Sequence, residues 1–211
     1  MSKLNIIDRR AFLRCASSTA LTLPLIGLGV VELTSCASAT TGTTLNPSGG
    51  WRTAICSDKE PGEPLIISGT IYAPDGRTPM EGIILSVYQT DATGVYSTRG
   101  GEDQRNTRLH GQMRSSNEGK YEFRTIKPGS YPGSRNPAHI HAYVSGPGYP
   151  EYWIDEFHFT DDPFISDEDK RNAAAKGSFS PILKLTRGKD GILTGVRDIK
   201  IERCSRNCTG R

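Results

Sequence analysis

Histidine is scarce in this chain: 211 residues hold only four. Tryptophan (two) and methionine (three) are scarcer still. No sustained 3.6-residue apolar period runs through the chain, which argues against a helical bundle or coiled coil. The one markedly apolar run, residues 20–31, is broken by Pro24, Gly27 and Gly29. It falls short of the roughly 20 residues that a bilayer-spanning helix needs. No stripe of lysine and arginine interleaved with aromatics is present, so nucleic acid is not an expected partner. The formal charge of +3 includes a basic N-terminal stretch, leaving the remainder close to neutral. No repeat at solenoid or propeller spacing is visible. Glycine (23) and proline (13) are plentiful, as suits a β fold with many turns.

Residues 1–35 read as an export signal. Asp8-Arg9-Arg10-Ala11-Phe12-Leu13-Arg14 resembles a twin-arginine signal and is followed by the short apolar run. Leu33-Thr34-Ser35-Cys36 resembles a bacterial lipobox, in which Cys36 is acylated and becomes the mature N-terminus. The alternative is a generic basic start with cleavage after Ala37-Ser38-Ala39. The first reading predicts twin-arginine export to the periplasm or cell surface, with membrane association only through a lipid at Cys36. Residues 36–62 begin Ser/Thr/Gly-rich and are expected to be a tether ahead of a domain over 63–211. Removing Cys15 and Cys36 leaves Cys56, Cys204 and Cys208. An exported domain favours a disulfide, either Cys204 with Cys208 or, as the preferred expectation, Cys56 with one of them.

Strands are expected over 65–73, 82–90, 120–126, 138–145, 152–160, 182–186 and 195–202. Asp91-Ala92-Thr93-Gly94 and Asn117-Glu118-Gly119 supply turns, and Gly94, Gly119 and Gly129 are expected at special backbone angles. Residues 98–116, polar and charged, read as a long surface loop. Residues 160–176 accommodate one short helix. The whole predicts an all-β fold, an antiparallel β-sandwich with long active-site loops.

In a strand, side chains two apart share a face, so His139 and His141 point one way and Ile140 the other. Two imidazoles at that spacing can hold one metal ion, though such a pair alone is common without one. Tyr131, eight residues upstream, and Tyr96 add two phenols. Phenolate is a hard anionic donor, so two phenols near the histidine pair strengthen the case for a metal site. His110 and His158 read as surface or supporting residues, and Tyr88, Tyr121, Tyr143 and Tyr152 as packing residues.

Several stretches carry a joint resemblance. They are Tyr88 to Tyr96, Arg108-Leu109-His110-Gly111, Asn117 through Pro132, and Pro137-Ala138-His139-Ile140-His141. In this order and spacing they resemble the intradiol ring-cleavage dioxygenases, the small exported and protocatechuate-type members most of all. The resemblance implies a non-haem Fe(III) held by Tyr96, Tyr131, His139 and His141. It implies a small aromatic diol and O2 as partners, and ring opening between the two hydroxyls to a cis,cis-muconate-type product. Tyr131 would leave the metal and take a proton from the catechol. A family arginine three residues before the first ligand histidine has no counterpart, since that position is Asn136. Arg135, one residue earlier, is the candidate electrophilic aid, with Asn136 or a plain surface arginine as alternatives. The competing reading is a non-catalytic exported β-sandwich lipoprotein binding a ligand or metal. A homo-oligomer is left open.

Overall fold

The structure is a computed structural model that describes residues 49–97 and 104–202. The expected signal, Cys36, Cys204 and Cys208 lie outside the described residues. The elements are β1 (Arg52–Ala54), β2 (Pro64–Tyr72), β3 (Ile84–Gln89), β4 (His110–Arg114), β5 (Lys120–Ile126), β6 (Ile140–Gly146), β7 (Tyr149–Trp153) and β8 (His158–Phe159). Helix α1 (Asp167–Ala174) follows, then β9 (Ile182–Leu183), β10 (Thr186–Arg187), β11 (Leu193–Val196) and β12 (Ile199–Lys200). One sheet runs β1-β5-β2-β11-β10, with β12 also on β2; a second runs β4-β3-β6-β7; β8 and β9 form a short parallel pair.

Period-2 patterning makes these strands. In β2 Leu65, Ile67 and Ile71 are buried to zero exposure, and in β5 Tyr121 and Phe123 are. They share one core with Leu85 and Val87 of β3, Met113 of β4, and Ala142 and Val144 of β6. Burying a Leu, Ile or Phe side chain contributes about 1.5–3 kcal/mol, so this shared interior holds the two sheets face to face. The β2–β5, β3–β4, β3–β6 and β6–β7 pairs are antiparallel. The sandwich reading therefore holds for the main strands, while β1, β11 and β12 add parallel pairings at the margins.

Four local expectations are corrected. The tether over 36–62 is too long, because β1 pairs with β5 and Ile55 is 4% exposed in the core. A single buried apolar residue in a polar stretch carries too little period to be seen. The surface loop over 98–116 contains β4, whose Gly111 and Met113 face inward between polar neighbours. The strand over 152–160 is two pieces, β7 and β8. Proline lacks an amide hydrogen, and Pro150 is tolerated because β7 lies at a sheet edge. Gly129 does not have a positive φ; it is needed because a Cβ there would meet Ala92 O at 2.6 Å. Helix α1 falls within 160–176 as expected. It starts on Ser166, whose hydroxyl caps the Asp169 amide while Asp169 reaches back in a capping box.

Candidate metal centre

Three chain segments meet at one end of the sandwich. The exit of β3 leads to Tyr96, the exit of β5 leads to Tyr131, and the entry of β6 carries His139 and His141. The pairing of β3 with β6 sets Gln89 against Ile140 and Tyr88 against His141. Buried Gln89 joins the two sheets: its amide donates to Ile126 O at 2.9 Å and accepts from Thr125 Oγ1 at 2.9 Å. That brings the tyrosine-bearing loops together.

The loops are then locked by backbone contact. Asp91 Oδ1 accepts from Thr93 N, Thr93 Oγ1 and Val95 N, closing the turn before Tyr96. Burial raises the Asp91 carboxyl, and these hydrogen bonds more than offset it, leaving it below its usual range. Asp91 O accepts from Gly129 N at 2.9 Å, and Thr90 Oγ1 donates to Gly129 O. Gly94 has φ +83, and a Cβ there would lie 1.9 Å from Ser130 O. Only glycine permits the turn and the close approach together.

Four donor atoms converge. Tyr96 Oη lies 2.8 Å from Tyr131 Oη. Tyr131 Oη lies 3.1 Å from His139 Nε2 and 3.3 Å from His141 Nε2, and the two Nε2 atoms are 3.1 Å apart. Metal–donor bonds of about 2.1 Å at right angles place neighbouring donors about 3 Å apart, so the spacing fits the edges of a coordination polyhedron. The tautomers fit as well. His139 Nδ1 is 2.7 Å from Pro137 O, which can only accept, and His141 Nδ1 is 2.7 Å from the Glu156 carboxylate. Each Nδ1 is therefore the donor, and each ring turns its Nε2 toward the cluster.

Burial pushes the Tyr96 phenol far up, with further increments from its hydrogen bond to Tyr131 and from nearby charge. Burial also raises Tyr131. Without a metal both are neutral phenols. A cation entering this set must displace their protons, which requires a strong Lewis acid. Two hard oxygens with two imidazoles do not match the sulfur-rich sets of structural zinc or the all-oxygen sets of calcium.

Glu156 was not singled out in the sequence. It lies close enough to the two histidines to suggest a His139–His141–Glu156 triad. The geometry rejects that reading, since Glu156 sits at Nδ1 of His141 and the Tyr131 phenol at Nε2, on opposite sides of one ring. Glu156 holds His141 in place instead. Burial raises its carboxyl, but the hydrogen bond from His141 and the imidazoles of His139, His141 and His158 win and hold it below the usual range. Glu156 reaches this position because the next residue, Phe157, bridges to Ile140 in both directions. Asp162, 5% exposed, is a second omission: it accepts from Ala138 N at 2.8 Å and Phe164 N at 2.8 Å, fixing the entry to β6. Neither residue has a local signal, because each acts across the fold.

The remaining predicted residues fall as follows. Tyr88 stacks on His141, ring centroids 4.5 Å apart. His158 lies 5.8 Å from the His139 ring, and burial lowers its pKa. His110 bonds Thr107 O through Nδ1 and pairs across the strands with Tyr88. Tyr121 is fully buried and donates to Arg197 O, as a packing residue would. Arg135 is exposed, its guanidinium 5.7 Å from the Phe164 ring centroid. Asn136 lines a cleft of about 590 Å³ with Glu156 and His158. Among the described residues Cys56 has no disulfide partner.

A β-sandwich with two phenols and two imidazoles gathered at one end defines the class, and comparison with known proteins agrees. A family model described as "Dioxygenase" matches residues 46–191. The chain belongs to the intradiol ring-cleavage dioxygenase family. It is 31% identical over 134 residues to catechol 1,2-dioxygenase 1 of Acinetobacter lwoffii, covering 54% of this chain and 41% of that protein. It is 27% identical over 126 residues to the protocatechuate 3,4-dioxygenase beta chain of Burkholderia cepacia, covering 54% and 52%. The chain thus matches about half the length of these relatives, or less. Its fold matches that of the dioxygenase domain of a dioxygenase–carbohydrate-binding protein fusion from Streptomyces sp. SirexAA-E. There the TM-score is 0.56 at 24% identity, over 78% of this chain and 96% of that one.

Proposed function

We propose that the protein is a non-haem Fe(III) dioxygenase that opens a catechol-type ring between its two hydroxyls with O2, giving a cis,cis-muconate-type product. The observation that carries this, in a chain of this family, is Tyr131 Oη lying 2.8–3.3 Å from Tyr96 Oη, His139 Nε2 and His141 Nε2, with the two Nε2 atoms 3.1 Å apart. When bound, the iron supplies the Lewis acidity that ionises phenols and activates the aromatic ring toward O2.

The chain's own residues do the rest. Pro137 O and Glu156 hold the His139 and His141 rings with Nε2 toward the centre. Tyr96 stays in place, its loop closed by the Asp91 carboxylate through Thr93 and Val95. Tyr131 is the base. Its Oη touches the other three donors, whereas among them Tyr96 Oη touches Tyr131 only. It accepts the catechol proton at Oη within hydrogen-bond reach. Arg135 is proposed to face developing negative charge on the ring, which requires it to turn from Phe164. Export and lipidation at Cys36 would put this chemistry outside the cytoplasm. Among the described residues no helix is long and apolar enough to cross a membrane.

The test is direct. Purified protein loaded with iron should be red-brown from tyrosinate-to-iron charge transfer and should consume O2 with catechol. Colourless protein carrying stoichiometric iron would reject the assignment.

A further inference from the structure

The segment 51–62 carries none of the four donors, yet it reaches the loop that presents one of them. The Glu60 side chain is only 7% exposed and grips the Arg108 guanidinium through both carboxylate oxygens. The Nη2–Oε1 distance is 2.8 Å. Arg108 N donates to Ser97 O at 2.8 Å, and Thr107 Oγ1 reaches the same carbonyl at 3.4 Å. Ser97 directly follows Tyr96.

The Tyr96 loop is therefore tied at both ends, by different means. Upstream, the Asp91 carboxylate closes a local turn of a kind that short-range sequence can form alone. Downstream, the tie comes from the approach to β4, whose Arg108 is fixed by a residue 48 positions earlier in the chain. A fork-to-fork guanidinium–carboxylate pair sets both distance and plane, which a lone amide–carbonyl bond does not. Neutralising Glu60 removes the hydrogen-bonded fork that sets the guanidinium's plane and leaves only the charge of nearby Asp91, so the Arg108 side chain and the backbone it anchors should loosen.

We infer that Glu60, acting through Arg108 and Ser97, is a positioning residue for Tyr96. The segment leading into the sandwich thereby sets the geometry of the metal centre. This rests on the reading of Tyr96 as a metal ligand, and the clamp on the loop can be tested separately from it.

Glu60→Gln keeps the shape and removes the charge. In the full-length iron-loaded protein, its visible absorption per bound iron should fall toward that of Tyr96→Phe. Iron release to a chelator should accelerate by about tenfold or more, the usual size of a lost supporting partner. Glu63→Gln, which breaks the exposed Glu63–Arg187 pair three residues along, should leave both at wild-type values. In the metal-free protein, hydrogen exchange at the Arg108 amide should accelerate in Glu60→Gln while β3 and β6 stay protected. If Glu60→Gln does not fold, Glu60→Asp supplies the same readouts. Wild-type absorption, iron release and Arg108 exchange in the Glu60 variant would overturn the inference, even if its melting temperature falls. Faster Arg108 exchange in a protein that binds no iron would support the clamp and overturn the metal reading.

Discussion

Tyr96 and Tyr131 are 35 residues apart in sequence, and their phenol oxygens lie 2.8 Å apart. They follow different strands of different sheets, β3 and β5. The contact exists because Gln89 joins the ends of those strands and Gly94 lets the two loops touch. Whatever loosens that junction should act on both phenols at once.

The two tyrosines should nevertheless differ on substitution. Tyr96→Phe and Tyr131→Phe each delete one phenolate, so each should weaken the red-brown colour. Tyr131→Phe should still take up catechol, but slowly, at a rate that climbs with pH as hydroxide replaces the missing base. Tyr96→Phe should mainly impair iron retention and shift the balance toward Fe(II). Stopped-flow mixing with anaerobic catechol separates them, and identical pH profiles would reject the assigned roles.

Glu156 should control iron affinity without being a ligand. Glu156→Ala removes the acceptor that fixes the His141 ring and should weaken iron binding about ten- to a hundredfold. Glu156→Gln retains an acceptor oxygen and should fall between the two. Competition with a chelator measures this; equal affinity in all three proteins would place Glu156 outside the centre.

Arg135→Ala should retain iron while kcat falls about ten- to a thousandfold, the scale of losing one electrostatic donor. Steady-state O2 uptake reads it. Unchanged turnover would leave Arg135 on Phe164 as a surface residue and pass the role to Asn136.

A fourth expectation concerns acid stability. Asp75 accepts from Thr78 Oγ1, Thr78 N and Arg77 N in the turn after β2, which lowers its carboxyl to about 2. Its unfolded value is about 3.9. A carboxyl depressed in the fold contributes stability above the unfolded value, and that contribution is lost as pH falls toward the folded one. Asp75→Asn should therefore melt below wild type at neutral pH, with the gap closing between about pH 4 and pH 2. A gap independent of pH would refute the assignment.

Export is tested by Cys36→Ser, which should release the protein from membranes because acyl chains supply most of such affinity. An unchanged membrane fraction would reject lipidation.

The linear sequence determined a great deal about this protein. Alternating apolar residues specify β2, β3, β5 and β6, since burial on one face is a period-2 signal. The His-x-His spacing places two imidazoles together, because adjacent strand positions alternate faces. The turn before Tyr96 is written in Asp91, whose side chain closes it over the next four residues. Tertiary structure alone decided the rest. The Glu156–His141 and Asp162–Ala138 contacts, and the Glu60–Arg108 pair, join residues 15, 24 and 48 positions apart. β1 and β4 are strands because a partner strand satisfies their backbone, not because their own residues demand it. An ion pair or a ladder hydrogen bond depends on distance in space, and periodicity along a chain carries no record of which distant residue will supply the other half.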